Sequence, residues 1–275
     1  MKIVFRRAPR PYLIIATMAF SVSVAACDRA DDSQADQPSS AAETVPAEQT
    51  RTADLATILA SDFRSADDRD RDQGRKPAEV IAFLGIEPGM RVLDVMAGGG
   101  WYTEVLSLAV GPDGHVTSHN TAFALQIRDG ANEEALSARL ADGRLPNVSR
   151  LNKELADLVP EDGPFDAAIT AMNLHDIYNR GGEDAAVAAL AAVYGVLKPG
   201  GVFGVIDHQG LAGQDNAALH RMQKADAIRV SAAAGFVVEG DSGILHVHSD
   251  DMTGHMRDRE RGQTHRFLLK LRKPE

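Results

Sequence analysis

The chain of 275 residues has one cysteine, Cys27, and one tryptophan, and aromatic side chains make up only 5% of it. A lone cysteine excludes an intramolecular disulfide, and its place at the end of an apolar leader argues against a nucleophile. Basic residues are also scarce: 29 Lys and Arg stand against 39 Asp and Glu, for a net charge of −10. That balance argues against nucleic acid as a partner, since phosphate neutralisation needs Lys and Arg. There is no Gly-x-Ser-x-Gly elbow, which argues against a serine-histidine-acid hydrolase, and there is no internal repeat.

The ends differ from the middle. Lys2, Arg6, Arg7 and Arg10 precede an apolar run from Tyr12 to Ala26 that is too short for a comfortable membrane span and closes in small residues. Residues 1–26 therefore read as a signal peptide. Val24-Ala25-Ala26-Cys27 resembles the lipoprotein cleavage box, which implies a lipidated Cys27 and an exported protein held on the periplasmic side of a bacterial membrane. Acyl chains would anchor it with about 0.8 kcal/mol per buried methylene. Asp28 resembles an inner-membrane retention signal. The remainder of 27–50 is poor in large apolar residues and reads as a disordered tether. Loss of the four leading basic residues changes the charge from −10 to −14. Residues 51–275 suffice for one domain.

Within that domain, Val92-Leu93-Asp94-Val95-Met96-Ala97-Gly98-Gly99-Gly100 reads as a buried strand running into a glycine-rich turn before a helix from Trp101 to about Val110. Such a turn removes side chains from the backbone, permits positive φ and aims a helix N-terminus at a ligand. Expected elements around it are helices over 52–63, 77–84, 122–140, 183–197 and 217–234. Expected strands are 115–120, 147–151, 165–172 and 202–207, followed by a hairpin of 236–245 with 265–272. The alternation implies an α/β fold: a Rossmann-like, doubly wound, mostly parallel seven-stranded sheet with a C-terminal antiparallel hairpin. Ligands would then sit beyond the carboxyl ends of the strands. The acidic and basic run Asp67 to Asp72 reads either as solvated surface or as a lid whose arginines reach an acidic substrate.

The order of these pieces, above all Leu197-Lys198-Pro199-Gly200-Gly201 before the strand ending in Asp207, resembles the class I S-adenosylmethionine-dependent methyltransferases over about Arg69 to Pro274. Arg75-Lys76-Pro77-Ala78-Glu79 with Gly98 to Glu104 is similar to a bacterial group of predicted exported methyltransferases. The resemblance implies S-adenosylmethionine as cofactor and a cofactor site of Asp94, Met96, Ala97, Gly98, Gly99, Gly100, Tyr102, Asn120, Glu154 and Asn173. Met96 stands where the first glycine is usual, and Asn120 where the family has a ribose-binding acid, giving up a charge-assisted bond. A dinucleotide loop is disfavoured, because Thr103 occupies the place of its last glycine and Asn120 that of its acid. Trp101 and Tyr102 read as packing residues or as aromatic faces for the sulfonium.

Methyl transfer needs an aligned acceptor and often a base. His175, past the fourth strand and beside Asp176, is the first candidate for base or acceptor-orienting group, His208 the second, and His220 closes the pocket. No metal ligand set is assigned; His246 and His248 near Asp250 and Asp251 have metal-ligand spacing of the loosest kind. A small-molecule acceptor is expected because the insertions after the fourth and fifth strands are short. The rival expectation is a lipoprotein of the same fold that binds a nucleoside-like ligand without catalysis.

Overall fold

The structure, a computed structural model, describes residues 47–275. The signal peptide of 1–26, Cys27 and the tether as far as residue 46 lie outside the described residues. The first helix, α1 (Ala47–Leu59), starts inside the segment expected as tether and stops short of Phe63. Its end has a physical cause. The buried guanidinium of Arg64 donates to the Leu59 carbonyl at 3.2 Å, closing the last turn. Next come α2 (Ala66–Arg75) and α3 (Pro77–Leu84). The Ser65 hydroxyl caps α2 by accepting from the Asp68 amide, and Pro77 opens α3 where its missing N–H costs nothing.

Alternating segments then build the sheet: β1 (Arg91–Val95), α4 (Trp101–Val110), β2 (His115–Asn120), α5 (Ala122–Leu140), β3 (Val148–Asn152), β4 (Phe165–Ala171), α6 (Leu174–Val196), β5 (Leu197–His208), α7 (Lys224–Ala233), β6 (Val237–Ser242) and β7 (Arg266–Arg272). Seven strands lie in the order β3-β2-β1-β4-β5-β7-β6. The first five pair in parallel, and β7 runs antiparallel to both β5 and β6. This is the expected doubly wound sheet with its closing hairpin. The strand order reverses between β1 and β4, the place where such sheets open a crevice.

Strand periodicity separates two cores. Val92 packs with Leu84, Val105 and Leu106 under α3 and α4, whereas Leu93 and Val95 pack with Leu190, Val193 and Val230 under α6 and α7. Neighbours on β1 thus face opposite layers, as alternation demands.

Other elements also depart from expectation. α6 begins at Leu174 rather than at 183, with a break at Gly182 (φ 77°, ψ −171°) that the sequence suggests as a helix start. α7 begins at Lys224 rather than 217, because residues 216–222 are drawn into turns by Arg221. α5 is broken at Ile127–Gly130, where Arg128, Asp129 and Gly130 all adopt positive φ, so its second half turns back towards the glycine turn.

Candidate active site

The turn after β1 has the expected strained conformation. Met96, Gly98 and Gly100 adopt φ of 54°, 57° and 79°, so the methionine occupies a left-handed position that favours glycine. Two bonds hold it there: its amide donates to His119 Nδ1 at 3.3 Å, and its carbonyl accepts from Asn173 Nδ2 at 3.2 Å. Ala97 N–H donates to the His119 carbonyl at 2.9 Å. The glycines answer partly to packing. A Cβ on Gly99 would lie 2.9 Å from the Ala135 Cβ, and one on Gly100 would lie 2.8 Å from Leu136 Cδ1, both on the second half of α5. Only Gly98 would keep ordinary contacts, with Asn132 at 3.6 Å.

Three expected cofactor residues are placed differently from their predicted roles. Asn120 is fully buried, and its amide closes on Gly98, accepting from N–H at 2.8 Å and donating to the carbonyl at 3.2 Å. It secures the turn instead of presenting itself to a ribose. Asp94 is buried against α4 and accepts from the Thr103 hydroxyl at 2.7 Å; burial raises its pKa to about 6. Tyr102 is buried edge-on to Trp101, ring centroids 4.7 Å apart, and burial pushes its phenol up to about 12. Guanidinium groups cover these rings, Arg75 at 4.5 Å and Arg64 and Arg71 at 5.5 Å from the Trp101 centroid, so the rings act as packing beneath the protein's own cations. Glu154 is exposed beyond β3, at the same edge of the sheet.

A cleft of about 790 Å³ opens beyond β4 and β5, lined by Met172 and His208 from the strand ends, Arg71 and Arg75 from α2, Arg128 from the α5 break, and the β6–β7 connection with Arg257 and Arg266. Its volume is in the range of small-ligand sites. The charged run of α2 is neither plain surface nor free: Asp68 is buried against Arg139 at 2.8 Å while Arg71 faces the cleft. Arg75 has no carboxylate partner among the described residues, and desolvation lowers its pKa to about 9. A cation with no carboxylate partner among the described residues, stacked on the residue that follows the glycine turn, suits the carboxylate of an amino-acid ligand. That is the feature that fits S-adenosylmethionine.

His175 occupies the first turn of α6. Its Nδ1–H donates to Asp207 Oδ1 at 2.7 Å, and its backbone N–H to Asp207 Oδ2 at 2.8 Å. The expected neighbour Asp176 lies further away, 3.7 Å from Nε2. Burial alone would lower the His175 pKa, but the charge and hydrogen bond of Asp207 outweigh it and hold it above the ordinary histidine value. Asp207, fully buried, is the residue that sequence reasoning missed. The signal lay in the Asp207-His208 doublet: neighbours on a strand face opposite layers, so both could not serve one face of the sheet. His208 is 3% exposed with neither ring nitrogen bonded, and desolvation drives its pKa down to about 3.

His220 sits in a turn at φ 51° rather than on a helix, with Nδ1 3.4 Å from His175 Nε2. Arg221 fixes that turn, donating to the Gln209 and Gly254 carbonyls and pairing with the buried Asp250 at 2.9 Å. His246, His248, Asp250 and Asp251, whose spacing only loosely resembles that of metal ligands, are engaged elsewhere. His246 stacks on His265 at 4.3 Å between centroids, and Asp250 is spent on Arg221 and the amides of Met252 and His265.

Comparison with known proteins agrees with this geometry. Residues 72–177 match the model of the protein-L-isoaspartate(D-aspartate) O-methyltransferase family. A demethylmenaquinone methyltransferase of Staphylococcus aureus (strain JH9) is 30% identical over 123 residues, 45% of each chain, so the chain spans under half the length of the curated relatives it matches. Among solved structures, a SAM dependent methyltransferase from Aquifex aeolicus superposes with a TM-score of 0.55 at 17% identity, covering 81% of this chain and 98% of that one. A 4+2 cyclase, SpnF, superposes with a TM-score of 0.55 at 20% identity, covering 82% and 96%. The fold is that of the class I S-adenosylmethionine-dependent methyltransferases. No narrower group is defined by these likenesses, since one fold hosts several chemistries.

Proposed function

We propose that the chain is a class I methyltransferase that uses S-adenosylmethionine to methylate a small molecule. The observation that carries the reading is the pairing of two parts at one sheet edge. One is the left-handed turn Met96–Gly100 beside the unpartnered Arg75; the other is His175, locked by Asp207 with Nε2 away from the bond. Arg75 takes the cofactor carboxylate, Met96, Ala97 and Gly98 offer backbone, Asn173 holds the turn, and Glu154 at the same sheet edge reaches the adenine end. The cofactor supplies an electrophilic methyl group when bound. His175 meets the acceptor's nucleophilic atom, and Asp207 sets its orientation; His208 walls the cleft.

Calorimetry of the purified protein with S-adenosylmethionine and with its demethylated product tests this. Binding of both is expected, and Arg75→Gln should weaken each by about tenfold or more, the scale of one charge-assisted bond. No heat with either ligand would leave the second reading, a non-catalytic binder. The closure of Asn120 on Gly98 favours that reading, because it removes the expected ribose contact.

The reading also places the protein on the periplasmic side of a bacterial membrane, anchored through acylated Cys27. Support comes from the leader sequence. Cys27→Ser should move the protein from the membrane to the soluble fraction.

A further inference from the structure

His175, Asp176 and His220 bring one donor atom each to a single point, all within 4.8 Å of one another. His175 Nε2 lies 3.4 Å from His220 Nδ1 and 3.7 Å from Asp176 Oδ2, and His220 Nδ1 lies 3.5 Å from Asp176 Oδ1. Donors bound at about 2.1 Å around a tetrahedral ion stand about 3.4 Å apart. The side between the two histidines has that spacing, and the Asp176 carboxylate brings one oxygen within 3.7 Å of each ring nitrogen, so a small turn of that half-buried carboxylate completes a coordination face.

A second, independent observation points the same way. The other nitrogen of His175 donates to the fully buried Asp207 at 2.7 Å. That bond fixes which tautomer leaves Nε2 with its lone pair towards His220, the carboxylate support that metal-bound histidines commonly have. His220 is carried by a turn that the buried Arg221–Asp250 pair clamps, so this donor too is held in place. Arg180, 3.3 Å from Asp176 Oδ1, is 62% exposed at its side chain and free to swing aside.

The geometry points to a divalent transition-metal site of the zinc class on His175, Asp176 and His220. Three protein ligands leave one position open, as in sites that bind a substrate atom and not in closed structural ones. The inference rests on the proposed function only for what fills that position: the oxygen, nitrogen or sulfur of the methyl acceptor. His175 then orients the acceptor through the ion. Two imidazoles and one carboxylate suit Zn²⁺, Co²⁺ or Fe²⁺ better than the hard cations Mg²⁺ and Ca²⁺.

The test uses the full chain, stripped with a chelator and titrated with Co²⁺, then Zn²⁺, without S-adenosylmethionine. One Co²⁺ per chain with visible ligand-field absorption is expected, displaced by one Zn²⁺. His220→Ala and Asp176→Asn, both on half-buried side chains, should each weaken binding at least a hundredfold, while His246→Ala leaves it unchanged. Asp207→Asn should weaken it about ten- to a hundredfold. Absence of a stoichiometric site, or undiminished affinity in the His220 and Asp176 variants, overturns the inference. Because cofactor affinity is measured separately, failure here leaves the methyltransferase reading standing, and failure there leaves the ion site standing.

Discussion

Asn120 and Gly98 exchange two hydrogen bonds across the mouth of the sheet, the amide of one matched to the peptide of the other. Replacing Asn120 by Asp, the residue type usual in the resembling family, would remove the donor and set a carboxylate oxygen against the Gly98 carbonyl. We expect Asn120→Asp to lose about 1–3 kcal/mol of stability and to gain no cofactor affinity. Urea unfolding and calorimetry check both; a variant more stable and tighter-binding than the parent would refute the arrangement.

Met96 pays for its left-handed backbone, so its tolerance should follow conformational cost and not size. Met96→Val places a β-branched residue at φ 54° and should cost about 2 kcal/mol. Met96→Asn, of a type that accepts this region, should cost less than Met96→Val. Denaturant midpoints of the two variants give the order directly.

The buried His119 and Asp94 oppose one another with pH. Desolvation lowers His119 to about 4 against an ordinary 6.5, so the unfolded chain binds more protons and stability falls as pH drops through that interval. Asp94, raised to about 6 from 3.8, binds more protons when folded, and its contribution falls as pH rises over nearly the same interval. The two largely offset in the parent. Relative to the parent, His119→Gln should make the change in stability from about pH 4 to 6 more negative and Asp94→Asn should make it more positive, each by roughly 1–3 kcal/mol. Urea titrations across this range read the slopes, and parallel profiles in the two variants would contradict the opposition.

Glu104 is fully buried and binds both Arg139 and Arg144, while Arg139 continues to Asp68 and to the Gly99 carbonyl. Removing one member leaves buried charge uncompensated. Glu104→Gln should cost about 3–5 kcal/mol, seen as a large fall in thermal midpoint. Glu133→Gln, which breaks the surface pair with Arg150, should change the midpoint little.

What the sequence makes legible follows the range of the forces involved. α4 and β2 begin and end where expected because Gly100, Gly111 and Asn120 mark their limits locally. The Leu197 to Asp207 passage likewise betrays the helix-to-strand reversal. The start of α7 is not legible, since the residues before it are bent by Asp250, 29 positions beyond Arg221. The same holds for the site. His175 stands out beside a strand end, but Asp207, which holds its ring, lies 32 positions away, and the sequence alone offers only the adjacent Asp176, 3.7 Å from Nε2. Asn120 was assigned by its position in a motif, which cannot tell a side chain facing a ligand from one turned onto its own turn.

The backward bend of α5 at Ile127–Gly130 has a bearing on kinship. Since Ala135 and Leu136 rest where Gly99 and Gly100 would otherwise bear side chains, these four positions must change in concert. A relative with a bulkier residue at 99 or 100 should carry a smaller one at 135 or 136, or lack the bend altogether, whatever compound it binds.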